Sequence, residues 1–176
     1  ALVDDNAVLG TIDFLAFDGT NFERGAKIEA RVDGDPSDGS DMPTELTFWT
    51  TPDASATCAE RLAIKPDGRG VSDFTASAWC RWNQESTQAL YDSHNISSIA
   101  DSGVGITTVN FEVAMGNANY AIAGIARGSD SYTVRHALMS HDTPATGSLV
   151  VHHVYSQDGA TLYDAVHVSL IIFGGN

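Results

Sequence analysis

Apolar and polar residues alternate with a period of two through much of this chain, and long helical periodicity is scarce. Residues 26–32 show the pattern most clearly, with apolar Ala26, Ile28, Ala30 and Val32 at alternate positions and charged residues between them. Because successive side chains of a strand point to opposite faces, this pattern predicts a half-buried strand. Gly and Asp punctuate most gaps between such runs. The chain is therefore predicted to be all-β.

Further runs of the same kind are predicted as strands. The predicted strands are residues 8–17, 26–32, 46–51, 61–64, 77–83, 89–92, 106–114, 120–126, 132–139, 148–156 and 165–173. The last seven are short and separated by turn residues, which is typical of an antiparallel sandwich or barrel. A short helical turn at residues 55–61 or 60–64 is the alternative interpretation of the fourth run.

Composition narrows the function classes. Of 176 residues, 43% are apolar, which is enough for a folded core. Nine basic and 23 acidic residues give a net charge of −14. Nucleic-acid binding and docking on an anionic membrane both rely on Lys and Arg, so this balance argues against both. No apolar run approaches the roughly 20 residues that cross a bilayer, so no membrane insertion is expected.

The charge divides the chain into two predicted modules. Residues 1–73 hold 15 acidic and 6 basic residues, whereas residues 74–176 hold 8 and 3, together with all six histidines. We therefore predict a boundary near Asp73. The two cysteines, Cys58 and Cys80, fall on opposite sides of it. Two reduced thiols are expected, and a single disulfide between the modules is the alternative.

The first module has few residues for a core of its own. Its predicted strands are short, widely spaced by turns and charged on one face, and small units of this kind usually need a partner. Three chains wound about a common axis would bury its apolar positions between them. Those positions are Ile28, Val32, Leu46, Phe48, Leu62 and Ile64.

Two stretches carry a resemblance to a known family. In the first, Gly25-Ala26-Lys27-Ile28 leads to Leu46-Thr47-Phe48-Trp49-Thr50-Thr51 and then to Glu60-Arg61-Leu62-Ala63-Ile64-Lys65-Pro66-Asp67-Gly68. It resembles the shaft segment of bacteriophage tail fibres and tail spikes. There, Gly-Ala-x-Ile is followed by Leu-x-Phe-x-Thr-Thr and by Glu-Arg-Leu/Met-x-Ile-x-x-x-Gly.

The second stretch is similar to the distal domain that follows such shafts. It opens with Ala78-Trp79-Cys80-Arg81-Trp82-Asn83 and continues through residues 95–98, 101–105, 109–115 and 118–121 to Gly124. Where the family has Trp-x-x-Phe-Asn, this chain has Trp82, which we predict still faces a core. The two stretches span roughly residues 8–124.

The resemblance implies a homotrimeric fibre in the phage virion that acts outside the cell and attaches to the bacterial surface. Residues 1–73 would form an intertwined β shaft, and residues 74–176 a jelly-roll-like β-sandwich tip at which we expect the fibre to end. The implied partners are other tail proteins and a host surface glycan or outer-membrane protein, with no cofactor. The alternatives are a tail-spike depolymerase fragment, a lectin-like carbohydrate-binding module and a purely structural connector.

Catalysis is not expected. Gly147-Ser148 lies close to His152 in sequence, but its flanks are those of a strand and no Gly-x-Ser-x-Gly elbow occurs. Paired carboxylates for glycoside cleavage remain open, because the fold alone sets their spacing. The chain is nevertheless too short, and too poor in repeats, for the long solenoid that usually carries such a groove.

Receptor contacts are predicted at exposed aromatic residues and in tip loops, which commonly carry recognition on a rigid β scaffold. Trp79 and Trp82 are three apart, so they should face opposite sides of one strand, and core packing is the alternative for each. The loops are 128–132 and 141–146. The loop candidates are Ser129, Asp130, Tyr132, His141 and Asp142.

Metal binding has only weak candidates. His152 and His153 are adjacent and should point to opposite faces, so one chain cannot place both on one ion. On a threefold axis, His152, His153 or His167 from three chains could converge, although partly exposed strand histidines are the simpler interpretation. The acidic loop 33–41 has alternating Asp but lacks the closing Glu and twelve-residue spacing of a calcium loop. No metal site is therefore predicted.

Overall fold

The structure, a computed structural model, describes residues 2–37, 39–128, 136–155 and 161–175, with 136–141 and 155 described as backbone only. Within these ranges every regular element is a β-strand and every strand pairing is antiparallel. The all-β prediction is confirmed. A helical turn at residues 55–61 or 60–64 is wrong, because Ala59–Ile64 is a strand paired with the strand before it.

The described residues contain thirteen strands, which we number in chain order. They are β1 (Val8–Phe17), β2 (Phe22–Val32), β3 (Thr44–Thr50), β4 (Ala59–Ile64), β5 (Gly70–Val71), β6 (Ala76–Asn83), β7 (Ala89–His94), β8 (Ile96–Gly103), β9 (Ile106–Phe111), β10 (Tyr120–Arg127), β11 (His136–His141), β12 (Ser148–Tyr155) and β13 (His167–Gly174).

The sequence pattern missed β5 and β8. β8 is largely exposed, and its apolar residues Ile96, Ile99 and Ala100 do not fall at alternate positions, so it has no two-residue apolar period to detect. Its existence depends on its pairing with β9. Of the predicted run 132–139, residues 132–135 lie outside the described residues, and the remainder is part of β11.

The chain divides into two compact units, Ala1–Thr75 and Ala76–Asn176. Unit 1 is a single five-stranded sheet in the order β1-β2-β3-β4-β5. Within it, Ile12 pairs with Ile28, Ile28 with Phe48, and Phe48 with Leu62. Residues paired across antiparallel strands lie on the same face, so this register collects the apolar side chains on one side of the sheet.

Unit 2 is one eight-stranded sheet in the order β7-β6-β13-β10-β11-β12-β9-β8. The sheet folds over itself, because Trp82 of β6 contacts residues of β9 and β12, which lie four or more strands away in that order. Its indole Nε1–H donates to Thr107 Oγ1 at 3.3 Å, and its ring lies 5.7 Å from that of His153. The enclosed space is filled by inward side chains of both layers.

The core of unit 2 contains most of the fully buried apolar side chains among the described residues. They include Ala78, Cys80, Trp82, Val109, Leu149, Val151, Val168, Leu170 and Ile172. Nearly all alternate with outward residues along their strands, so one side of each strand faces the core. In the part of the chain that the structure describes, no helix has the length and hydropathy to span a membrane.

Candidate functional site

The outward side chains of β7, β6, β13 and β10 form one surface, which we call the outer platform. Trp79 pairs with Ile171, and Ile171 with Ala123, so all three lie on the side of the sheet opposite the buried core. The platform residues used below are Trp79, Arg81, Tyr91, Ile125, Arg127 and His167. The opposite side of these strands packs against the core of unit 2. The platform side chains therefore project from a rigid sheet.

The two tryptophans of the sequence motif separate as predicted. Trp79 is 36% exposed on the outer platform, whereas Trp82 is fully buried between the layers of unit 2. The prediction that they face opposite sides of the strand is confirmed. The prediction that Trp82 contacts a receptor is wrong, because its ring packs on His153 and its N–H donates to Thr107. Only Trp79 is accessible to a ligand.

Arg81 is the central polar side chain of the outer platform. Its guanidinium lies 5.4 Å from the centre of the Tyr91 ring, in cation–π geometry. Its Nη2 is 3.3 Å from His167 Nδ1. Guanidinium groups have no acceptor, so Arg81 donates and the ring proton of neutral His167 is at Nε2. The platform therefore presents the remaining Arg81 N–H groups as donors, with His167 fixing the position of the guanidinium.

The outer platform also concentrates positive charge. Residues 76–176 contain three arginines and no lysine, and two of those arginines, Arg81 and Arg127, are on the platform. Arg127 is exposed and pairs in register with His167, the residue that Arg81 contacts. Asp92 lies opposite Arg81 in register, but among the described residues no ion pair joins their side chains. The surface thus carries a local excess of cations in an acidic protein.

The predicted tip-loop contacts are only partly described. Ser129, Asp130 and Tyr132 lie outside the described residues, and His141 is described as the last backbone position of β11. Asp142 is exposed, with its Oδ1 3.6 Å from Nε2 of His152. Among the five predicted loop contacts, Asp142 is therefore the one whose side chain the structure describes.

The three histidines proposed for a threefold metal site do not fit that role equally. His153 is fully buried and packs on Trp82, so it cannot reach another chain in this fold. Nδ1 of His167 accepts from Arg81, and a metal ion there would face a guanidinium. His152 is half-buried and points away from His153, as the strand geometry predicted. No cluster of three or more metal-ligating side chains exists among the described residues.

The acidic loop and the cysteines fit their simpler interpretations. Asp33 pairs with Lys65 at 2.8 Å, and Asp41 Oδ1 accepts a hydrogen bond from the Ser37 N–H, so these carboxylates have partners within the fold. Both cysteines are free thiols. Cys80 lies in the core of unit 2, and burial raises the pKa of its thiol to about 12. A disulfide between the modules is therefore wrong.

Unit 1 exposes a broad apolar surface, which we call the apolar face. Ile12 is 60% exposed and Phe14 is 52% exposed, both on the edge strand β1. The face is built from paired positions on β1, β2, β3 and β4, including Ile12, Phe14, Ile28, Leu46, Phe48, Leu62 and Ile64. Isolated apolar residues are ordinary on protein surfaces, but contiguous faces of this kind mark interaction sites.

The opposite face of the same sheet covers itself with charge pairs. Glu45 accepts from Lys65 at 2.7 Å and from Arg31, which also binds Glu60 at 2.9 Å. Burial favours a higher pKa for Glu45, but the hydrogen bonds and charges of Lys65 and Arg31 outweigh it and hold the pKa below its usual value. Lys27 extends over the Trp49 ring at 4.1 Å. The polar face is therefore internally satisfied, whereas the apolar face is not covered.

Sequence reasoning found Trp79 but missed the residues that act with it. Arg81, Tyr91 and His167 come from three strands separated by up to 86 positions, and only the sheet register brings them together. A signal was available in composition, because arginine is rare in residues 76–176. That signal does not show that two of the three arginines share a face.

A scan against protein-family models gives no match for this chain, and a search of curated protein sequences gives none either. The function is therefore inferred from the residues and the geometry described above.

Proposed function

We propose that this chain is a bacteriophage tail-fibre or tail-tip component that attaches the virion to a bacterial surface as a homotrimer. One observation carries this proposal: unit 1 leaves an apolar face open to solvent while its charged face is internally paired. A single-layer sheet has no second layer of its own to cover such a face. Copies of the same chain supply that cover in an intertwined fibre.

The number of copies follows from the geometry of a fibre and from the resemblance in sequence. Three sheets arranged around an axis each present one face inward, so their apolar faces form a shared core and their charged faces meet water. This arrangement buries Ile12, Phe14 and Leu46 and leaves the Glu45 ion pairs on the outside. Unit 1 is the proposed shaft segment.

Unit 2 is the proposed tip domain, with a jelly-roll-like sandwich layout. Its strands enclose a packed core, so unlike unit 1 it covers its own apolar residues. Loops and outward strand faces on such a scaffold are available for recognition. The trimer would present three equivalent sites, and several fibres per virion would multiply them, so weak individual contacts add up to firm attachment. Other tail proteins are the proposed partners at the shaft.

The oligomeric state tests this proposal most directly. Three chains of 18.6 kDa give a particle of about 56 kDa, which sedimentation equilibrium distinguishes from a monomer. We expect the trimer mass at micromolar concentration, and a monomer there would overturn the proposal. Attachment is tested with fluorescently labelled trimer on a panel of bacterial strains, where saturable binding to some strains is expected. Binding to none would leave a structural connector in its place.

A further inference from the structure

We propose that the outer platform is a binding site for a carboxylated polysaccharide, with a sugar ring resting on Trp79 and a carboxylate held by Arg81, which Tyr91 and His167 position. This inference deepens the proposed attachment function by naming the ligand class and its site. It differs from the sequence expectation, which placed recognition in the tip loops and on both tryptophans.

The first step is the accessible aromatic surface. Trp79 is partly exposed, and its strand neighbours in register are Ile171 on one side and His94 on the other. Tyr91, 53% exposed, lies on the adjacent strand β7 at a register shift opposite β6. Aromatic rings with one apolar face in water suit the C–H faces of sugar rings, which stack on them with little conformational cost.

The second step is the donor set beside the indole. Arg81 is two residues from Trp79 on the same strand, so both side chains leave the same face. Tyr91 and His167 contact the guanidinium from two sides and restrict its position. Among the described residues, its remaining N–H groups make no hydrogen bond. They are oriented donors for a carboxylate, and charge-assisted bonds of this kind are the strong ones.

The third step is charge complementarity. The residues of unit 2 carry more acids than bases, yet Arg81 and Arg127 lie on one face. His167, on the strand between theirs, pairs in register with Arg127 and contacts Arg81 through its side chain. Neither arginine has an ion-pair partner among the described residues. Two cations without ion-pair partners in the described part of the chain create a local field that favours an anionic ligand at this surface, whereas the acidic remainder of the protein repels it.

The fourth step separates a polysaccharide from an acidic peptide. Peptides commonly bind sheets by adding a strand to a free edge, and on the platform only β7, at the end of the sheet, has one. Trp79, Arg81 and His167 lie on β6 and β13, which have strands on both sides. A peptide added along β7 would lie beyond that edge and not on the sheet face where the indole and the guanidinium are exposed. A polysaccharide needs only an aromatic surface and side-chain donors, and both are present.

Direct binding assays test the site. Polygalacturonate, alginate and polysialic acid are titrated against the full chain by isothermal titration calorimetry, with methyl-esterified polygalacturonate as the matched polymer that keeps the rings and removes the charge. We expect saturable binding to at least one carboxylated polymer, at least about tenfold weaker binding to an esterified form, and weakening by salt. Absence of binding to all three polymers would overturn the proposal.

Variants locate the site on the protein. Trp79→Ala and Arg81→Gln are each expected to weaken binding by about tenfold, whereas Trp79→Phe retains a ring and most of the affinity. Val104→Ala is the matched control, because Val104 is an exposed apolar residue in the turn between β8 and β9. Circular dichroism and unfolding temperature verify that each variant folds. Equal affinity of all four variants and the original chain would place the binding elsewhere.

Four further outcomes separate this inference from the proposed function and from a peptide ligand. If Trp79→Ala and Arg81→Gln change the oligomeric mass, the platform is an interface between copies and the glycan site is wrong. If the original chain attaches to bacteria and both variants attach equally well, the attachment function is supported and the platform site is wrong. Platform-dependent polysaccharide binding without attachment to any strain would instead overturn the attachment function and leave the site intact. Tight binding of poly-glutamate, with the same loss in both variants, would favour an acidic peptide and reject the polysaccharide.

Discussion

His153 is a fully buried imidazole for which neither ring nitrogen makes a hydrogen bond to a described residue. Its backbone is nevertheless fixed, because its N–H donates to the Gly105 carbonyl and its carbonyl accepts from the Tyr163 N–H. Burial lowers the pKa of His153 to about 4; Asp164 acts against this shift and His152 in the same direction as burial. The folded chain therefore holds this ring neutral.

This burial predicts a loss of stability in acid. The unfolded chain takes up a proton on His153 near pH 6.5, whereas the folded chain takes it up only near pH 4. The free energy of unfolding should therefore fall as the pH drops through this interval, by up to about 3 kcal/mol in total, and level off below it. Urea unfolding between pH 4 and 7 measures the slope.

The variant His153→Leu isolates this contribution. Leucine fills a similar volume and cannot be protonated. The free energy of unfolding of the variant should therefore depend less on pH over the same interval. Other groups titrate equally in both proteins, and the difference between the two slopes belongs to position 153. Identical slopes would show that the buried imidazole is not the source.

Gly105 is required by the backbone path beside His153. Its φ is +66°, and a Cβ there would lie 2.6 Å from the Tyr163 backbone nitrogen and 2.9 Å from the His153 carbonyl oxygen. Both neighbours are backbone atoms that cannot rotate away. Gly105→Ala is expected to lower the free energy of unfolding by about 3 kcal/mol or more.

Gly147→Ala is the control for this prediction, since nothing lies within 4 Å of a Cβ at that position and its φ is not positive. It should change stability by no more than about 0.5 kcal/mol. Denaturant unfolding of both variants makes the comparison. A small effect at Gly105 would mean that the turn and the chain near Tyr163 separate at little cost.

At the scale of elements, the charged face of unit 1 depends on Glu45. Its carboxylate lies between Lys65 and Arg31 and is almost fully buried. Glu45→Gln keeps the shape but leaves two cations without their shared counter-ion. We expect a loss of about 2 kcal/mol in the free energy of unfolding, within the range for partly buried ion pairs.

Glu60→Gln provides the comparison, because Glu60 contacts only Arg31 of this cluster and is more exposed. Surface ion pairs contribute little, so its loss should be less than about 1 kcal/mol. Thermal unfolding of both variants above pH 6, where Glu45 is ionised, gives the difference. Equal losses would argue that Glu45 is better solvated than its burial indicates.

Strands were predictable wherever one face was apolar. β1 occupies the predicted residues 8–17, a mostly apolar run that ends at the turn residues Asp18 and Gly19. Conversely, β8 was not predicted, since its apolar residues Ile96, Ile99 and Ala100 do not alternate with polar ones and its pairing with β9 makes it a strand. Local pattern reports burial of one face, whereas pairing depends on residues far away in sequence.

At the scale of the whole molecule, the apolar face of unit 1 predicts that assembly is sensitive to one position and not to its neighbour. Ile12 and Thr11 are adjacent on β1 and point to opposite faces of the sheet. Ile12→Lys places a charge on the proposed interface, which should shift the protein towards monomer at micromolar concentration. Sedimentation velocity reports the change.

Thr11→Lys adds the same charge to the same strand on the polar face, beside Glu29, and should leave the assembly unchanged. Dissociation by both variants would mean that β1 itself is disrupted. Dissociation by neither would place the interface elsewhere. Only the selective effect supports a shared core on the apolar face.

The sequence by itself determined that the chain is all-β, where most strands run, and that Trp79 and Trp82 face opposite sides. These properties follow from the two-residue period of a strand, which is written locally along the chain. Only the tertiary structure decided which tryptophan is buried, that His153 is enclosed, and that Arg81, Tyr91 and His167 meet on one surface. Sheet order and register decide these properties, because they bring together residues that no local pattern relates.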